Sequence, residues 1–255
     1  MKDEEIPAML DLWQKTLHWQ PSDRQQQQFT QLYKAILEAN EKQNLTRITD
    51  PQEFWEKHLW DSLLGIAPFF FALSSLPVLQ EKIALPSGTK IIDIGTGAGF
   101  PGLPIAITEP NCSVTMVDST RKKIAFIFKA IAELKLNNAH AIVSRAETLG
   151  RESIYREQYD LALIRAVGQA SVCAEYVLPL VKVGGFAILY RGHWQESETI
   201  ALKSAVEQLG SEVTWIQQTI TPLSESVRHC LYLYKHSATP NKFPRPVGVP
   251  SQQPL

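Results

Sequence analysis

Residues 91–104 read IIDIGTGAGFPGLP, and the fold turns on this stretch. Ile91, Ile92 and Ile94 make a short apolar run suited to a buried strand. Gly95, Gly97, Gly99 and Gly102 follow within eight residues, and residues 103–108 are apolar enough to open a helix. Strand, glycine turn, helix is the ligand-binding corner of an open α/β sheet. Glycines let the backbone approach a ligand where a Cβ would collide. The helix start offers unpaired N–H groups to an anionic group.

Downstream, the hydrophobic pattern alternates strands with helices. Strands are predicted at 114–117, 141–143, 159–164, 186–190, 213–217 and 229–234, with helices at 121–136 and about 171–181 and 195–209. Such alternation implies a mainly parallel sheet with right-handed crossovers. The last two strands have no helix between them and should pair antiparallel. Upstream, residues 1–85 read as helical. Ser22 with Gln25 spells a capping box, followed by Phe29, Leu32, Tyr33, Ile36 and Leu37 on one face. Asp50-Pro51-x-Glu53 starts another helix, carrying His58, Asp61 and Ser62. No nucleophile elbow surrounds Ser62, so a hydrolase triad is disfavoured, as is a metal pair. A structural or site-flanking helix is the better reading. The organisation is then a helical extension over 1–85, a sheet domain over 86–235, and a tail over 236–255.

That tail contains Pro240, Pro244, Pro246, Pro250 and Pro254, with Lys242 and Arg245 and no acid. It reads as an extended segment, either flexible or a basic arm for RNA. The whole chain has 255 residues and a net charge of −1, so nucleic-acid binding would need a local basic patch. Cys112, Cys173 and Cys230 form no C-x-x-C pair. This argues for a reducing, cytoplasmic setting and against a zinc site. The acidic start MKDEEIPAML lacks the order of a signal peptide, and no apolar run is long enough to span a membrane.

Ligands of open α/β sheets sit beyond the carboxyl ends of the strands. There this chain places Asp93 with the glycines, then Asp118-Ser119-Thr120, then Ala146-Glu147. Asp118 is placed to accept from a ribose diol, and Ala146-Glu147 to meet an adenine edge. Asp93 two residues before Gly95 makes Asp-x-Gly-x-Gly-x-Gly, which resembles the S-adenosylmethionine (SAM) signature of class I methyltransferases. A strand-end carboxylate suits a cationic sulfonium ligand better than a pyrophosphate. The same rim carries Lys122, Arg145, Arg165 and Arg191, suited to a polyanionic substrate, while Lys123 is expected to pair with a nearby acid. Residues 165–168, Arg-Ala-Val-Gly, lack the Asn/Asp-Pro-Pro-aromatic segment of exocyclic-amine methylation. Cys173 sits inside a predicted helix, away from the place of a C5-methylcytosine nucleophile. A ring nitrogen such as guanine N7 needs neither device.

Several segments together resemble the glucose-inhibited division protein B family, the bacterial 16S rRNA guanine-N7 methyltransferases. They are NLTRI at 44–48, HLWDSL at 58–63, DIGTGAGFPGLPIAI at 93–107, VDSTRKK at 117–123, SRAE at 144–147, IRAV at 164–167 and FPRPVGVPSQQPL at 243–255. The resemblance implies a Rossmann-like class I fold with a seven-stranded, mainly parallel sheet and an N-terminal helical extension. It implies SAM contacts at Gly95, Gly97, Phe100, Asp118, Ser119, Thr120, Ala146, Glu147 and Arg165. It implies RNA-facing roles for Lys122, Arg145 and the strand-five cation, here Arg191 where the family usually has Lys. The expected partner is 16S rRNA or the small ribosomal subunit, the expected cofactor SAM, the expected state a monomer without metal. Two competing readings are an NAD-dependent oxidoreductase on the same glycine turn and a non-catalytic RNA-binding module.

Overall fold

The computed structural model describes residues 5–71 and 87–255. Expectations for residues 72–86, including helix up to 85 and the boundary at 85/86, lie outside the described residues. Two helices lead, α1 (Leu10–Leu17) and α2 (Asp23–Asn40). The capping box forms as the sequence spells it: Gln25 N donates to Ser22 Oγ at 3.4 Å, and Ser22 N donates to Gln25 Oε1 at 2.9 Å. Such a cap is worth about 1 kcal/mol. Gln25 Nε2 also donates to the carbonyls of Ile107 and Thr108, pinning the helix start to the sheet domain. The next helix, α3, runs as Pro51–Phe54, a π-helical stretch Trp55–Trp60 and a last turn Asp61–Leu64. Asp50 caps it, accepting from Gln52 N and Glu53 N. The short α4 spans Ala67–Phe70.

The sheet domain follows as β1 (Lys90–Ile94), α5 (Gly102–Thr108), β2 (Ser113–Asp118), α6 (Arg121–Glu133), β3 (Ala139–Val143), α7 (Ala146–Leu149) and β4 (Tyr159–Arg165). It continues through α8 (Ala170–Val177), β5 (Val181–Arg191), α9 (Glu196–Gln208), β6 (Ser211–Ile220), β7 (Val227–Lys235) and α10 (Val249–Gln252). The strand order is β3-β2-β1-β4-β5-β7-β6. β1 to β5 are parallel, and β7 runs antiparallel to both β5 and β6. The order reverses between β1 and β4, which sets the ligand crevice over the carboxyl end of β1. Gly184-Gly185 lies within β5 rather than before it. Tyr159 pairs with Val181, the register then shifts, and pairing resumes at Leu161 with Phe186. A Cβ at Gly185 would stand 2.6 Å from the Asp160 carbonyl, so only glycine fits this bulge.

The N-terminal helices bury Trp13, Phe29, Leu32, Trp55 and Trp60 in one cluster with Ile91, Leu103, Ile127, Leu161 and Phe186 of the sheet domain. A second cluster covers the opposite sheet face and includes Phe243 of the tail. Polar bonds stitch the helical layer to the last strands. Tyr190 and Tyr232 hydroxyls donate to the carbonyls of Ser62 and Gly65, and Glu56 Oε1 accepts from Leu223 N and Ser224 N.

The tail differs from the extended segment that its prolines suggest. Arg156 donates to the carbonyls of Thr239 and Phe243, and Thr239 N donates to Glu157. Arg245 forms a bidentate pair with Glu175, whose side chain is fully buried. Lys235 is fully buried within β7, with Nζ on Glu157 at 2.8 Å. The reason is charge complementarity: the sheet domain holds the carboxylates that its own basic tail satisfies. Lys242 remains exposed. Among the described residues no helix is long and apolar enough to cross a membrane, and no group of His, Cys, Asp and Glu is arranged to hold a metal.

Candidate cofactor and substrate site

The glycine turn leaves β1 with Gly95, Gly97 and Gly99 all at positive φ. Gly95 is required twice over: its φ is +72°, and a Cβ there would lie 2.5 Å from Val167 Cγ2. Two aspartates hold the loop. Asp118 Oδ2 accepts from Gly97 N at 3.1 Å, and Asp93 Oδ2 accepts from Gly102 N at 2.9 Å. This corrects the expectation for Asp93. Its carboxylate is buried beneath the turn, fastened to the start of α5, and does not line the ligand crevice. Burial pushes its pKa up to about 6, against the pull of the Gly102 N–H.

Beyond the ends of β1, β2 and β3 opens a cleft of about 410 Å³. It brings together Gly95, Asp118, Ser119, Thr120, Arg145, Ala146 and Glu147. Asp118 Oδ1 accepts from Thr120 N at 2.8 Å, which fixes the side chain with lone pairs left over on both oxygens. Lys123 Nζ stands 3.5 Å from Asp118, the pairing expected of it, and lines the cleft as well. Glu147 is buried, and its Oε1 accepts from Gly248 N at 3.0 Å. Two fixed carboxylates over a glycine floor fit a nucleoside carrying a cationic group: hydroxyl and amine donors meet acceptors, and the cation meets negative charge.

Other predicted residues stand elsewhere. Gly97 contributes its N–H to Asp118 rather than a wall of the cleft. Phe100 is buried against His58, with ring centroids 4.2 Å apart and planes 6° from parallel. Lys122 turns away to a separate depression with Glu38, Lys42 and Lys129, because adjacent helix positions point about 100° apart. Arg191 donates to the Gly168 carbonyl and so ties β5 to the loop after β4.

Arg165 does not enter the cleft. Its guanidinium donates to the Lys57 carbonyl at 2.9 Å and to Asp61 Oδ2 at 2.8 Å, and reaches His58 Nδ1 at 3.4 Å. It also lies 5.7 Å from the Phe100 ring centroid. Asp61 is gripped from the other side by Arg228 Nε at 3.3 Å. Arg165 has only donors, so His58 Nδ1 accepts. The neutral ring then carries its proton on Nε2, which donates to Thr46 Oγ1 at 2.9 Å. Burial, then Arg165 and Lys57, push the His58 pKa down to about 3. The Ser62 hydroxyl donates to the His58 carbonyl within the helix, so no triad forms and α3 flanks the site. Sequence reading missed Tyr176, Ser251 and Arg228. The first two reach the cleft from α8 and the tail, where no local motif marks them.

This strand order, with the glycine turn at the β1–β4 reversal and an acid at the end of β2, defines the class I methyltransferase fold. A mutant of the 16S rRNA (adenine(1408)-N(1))-methyltransferase from Catenulisporales acidiphilia shares it: the TM-score is 0.51 at 16% identity over 60% of this chain and 88% of that one. The family model described as "rRNA small subunit methyltransferase G" matches residues 25–228. Proteins named "Ribosomal RNA small subunit methyltransferase G" from Trichormus variabilis and Nostoc sp. are 60% and 58% identical, over 98% of this chain and 98% of each relative. The chain belongs to the rRNA small subunit methyltransferase G family and is a SAM-dependent methyltransferase.

Proposed function

We propose that this protein methylates N7 of a guanine in the 16S rRNA of the small ribosomal subunit, with SAM as donor. The observation that carries the site assignment is the cleft in which Asp118, Ala146 and Glu147 converge beside Gly95. Asp118 would hold the ribose hydroxyls, Ala146 and Glu147 the base, and Gly95 admits the ligand close to the backbone. When bound, SAM supplies a methyl group on an electron-poor sulfonium. The protein then has to align the acceptor, exclude water and balance charge; holding two reactants in line is worth roughly 7–11 kcal/mol.

Guanine N7 has an in-plane lone pair and no proton to lose, so no general base is required. The residues near the site agree with that need. His58 has both ring nitrogens engaged. Burial raises the Cys173 thiol to about 11, and it donates to the Gly168 carbonyl, so it is no nucleophile. Arg145, exposed at the mouth of the cleft, is positioned to meet RNA phosphate. Arg165 and Arg191 would act indirectly, by fixing the loop after β4 and the helix α3 beside it. A ribosomal substrate agrees with a cytoplasmic setting. The test is incubation with labelled SAM and either 16S rRNA or the small subunit, followed by mapping of the methyl group. A methyl at guanine N7 is expected; a methyl on an exocyclic amine or on protein overturns the proposal.

A further inference from the structure

We propose that the C-terminal segment is a wall of the cofactor cleft. In it Gly248 is a positioning residue for Glu147, and Ser251 limits the size of ligand admitted at that end. The inference rests on reading the cleft as the SAM site.

Three anchors carry the chain from the far end of the sheet back to the crevice. Thr239 N is held by Glu157, the ring of Phe243 is buried in the second core cluster, and Arg245 is clamped on the buried Glu175. A Cβ at Gly150 would stand 3.0 Å from Pro244 Cγ, so the segment lies flat on the turn after α7. The anchors leave little slack for the next three residues. Gly248 takes φ +86°, open to glycine and strained for other residues, and so aims its N–H at Glu147 Oε1. That bond fixes a buried carboxylate already assigned to the ligand's base. Ser251 then donates to the Gly248 carbonyl at 2.9 Å and lines the cleft beside Tyr176.

The far end of the cleft is therefore built from residues about 100 positions apart in the chain. It suits a purine nucleoside of unmodified size, because bulk added at that end meets Ser251 and Tyr176. The arrangement also separates two roles that the tail's basic composition merges. Arg245 is spent on Glu175, while the polar backbone beyond it serves the cleft.

The test is calorimetric titration of the full chain with S-adenosylhomocysteine, the demethylated product, alongside thermal melting. The unaltered protein should bind; no binding overturns the cofactor reading and this inference with it. Ser251→Trp should weaken binding about tenfold or more with an unchanged melting temperature, since Ser251 is exposed. Gly248→Ala should weaken it roughly threefold to tenfold by displacing the charged hydrogen bond to Glu147. Val247→Trp should bind as the unaltered protein does, because Val247 is 54% exposed and off the cleft. If the unaltered protein binds and Ser251→Trp matches it, the tail is not a wall. If Val247→Trp loses as much as Ser251→Trp, the effect is general disturbance, and the assignment of Ser251 falls.

Discussion

The strand ends of β2 and β3 and the strand end of β4 form one rim by topology, yet they are built on opposite plans. At β2 and β3 short acids, Asp118 and Glu147, are held by backbone N–H groups and keep lone pairs toward an open cleft. At β4 a long cation, Arg165, spends its donors on Lys57, Asp61 and His58. On the proposed reading the first region is preorganised to receive a ligand; the second is already satisfied by its own protein. A residue's place at a strand end thus fixes where its Cα stands, and the donors and acceptors within its reach decide whom it serves.

The largest expected effect falls on the receiving side. Asp118→Ala removes both the ligand acceptor and the grip on Gly97, and should weaken SAM binding by about 100-fold in a calorimetric titration. Intact binding would erase the contrast between the two regions. On the satisfied side, Arg165→Ala leaves Asp61 buried with Arg228 alone. It should cost about 2–3 kcal/mol in denaturant unfolding, below the usual range for a broken buried pair because one partner remains. Turnover should fall with it, through the displaced loop. Loss of turnover without loss of stability would move Arg165 into the cleft.

A smaller effect sharpens the second plan through pH. The folded-state pKa of His58, about 3, lies below its ordinary 6.5, so its contribution is complete above pH 6.5 and is lost as pH falls toward 3. Asp93, raised from 3.8 to about 6, acts oppositely: stability is lost as pH rises across that interval. The His58→Phe variant should therefore differ from the parent by a stability slope up to about 1.4 kcal/mol per pH unit between pH 6 and 4. Parallel curves would place a charged His58 in the folded state. Least affected should be Lys242→Ala, exposed on the tail: its stability change should stay within about 0.5 kcal/mol, and turnover should hold.

The sequence made the architecture legible where period and punctuation agree. The glycine turn, the Ser22 and Asp50 caps, the alternating strands and the antiparallel last pair all stand as read. Asp118, Ser119, Thr120, Ala146 and Glu147 converge because each follows a strand in a parallel sheet. The rest was hidden for physical reasons. Asp93 turned inward because the Gly102 N–H lay within its reach. Lys122 left the rim because one helical step separates the cleft, which Lys123 lines, from the depression beside the end of α2. The tail docked because its prolines remove N–H groups without preventing Arg245 and Thr239 from finding acids. Such long-range pairing leaves no periodic trace.

The stitching of α3 to the last strands bears on how the chain comes into being. Ser62, Gly65, Glu56 and Asp61 wait for Tyr190, Tyr232, Ser224 and Arg228, which leave the ribosome long after them. Contacts of the helical layer to Ile107, Thr108 and Arg165 can form sooner, but α3 is clasped on all sides only once nearly all of the polypeptide has been synthesised. Until then the face that α3 turns toward the last strands depends on shielding from other chains.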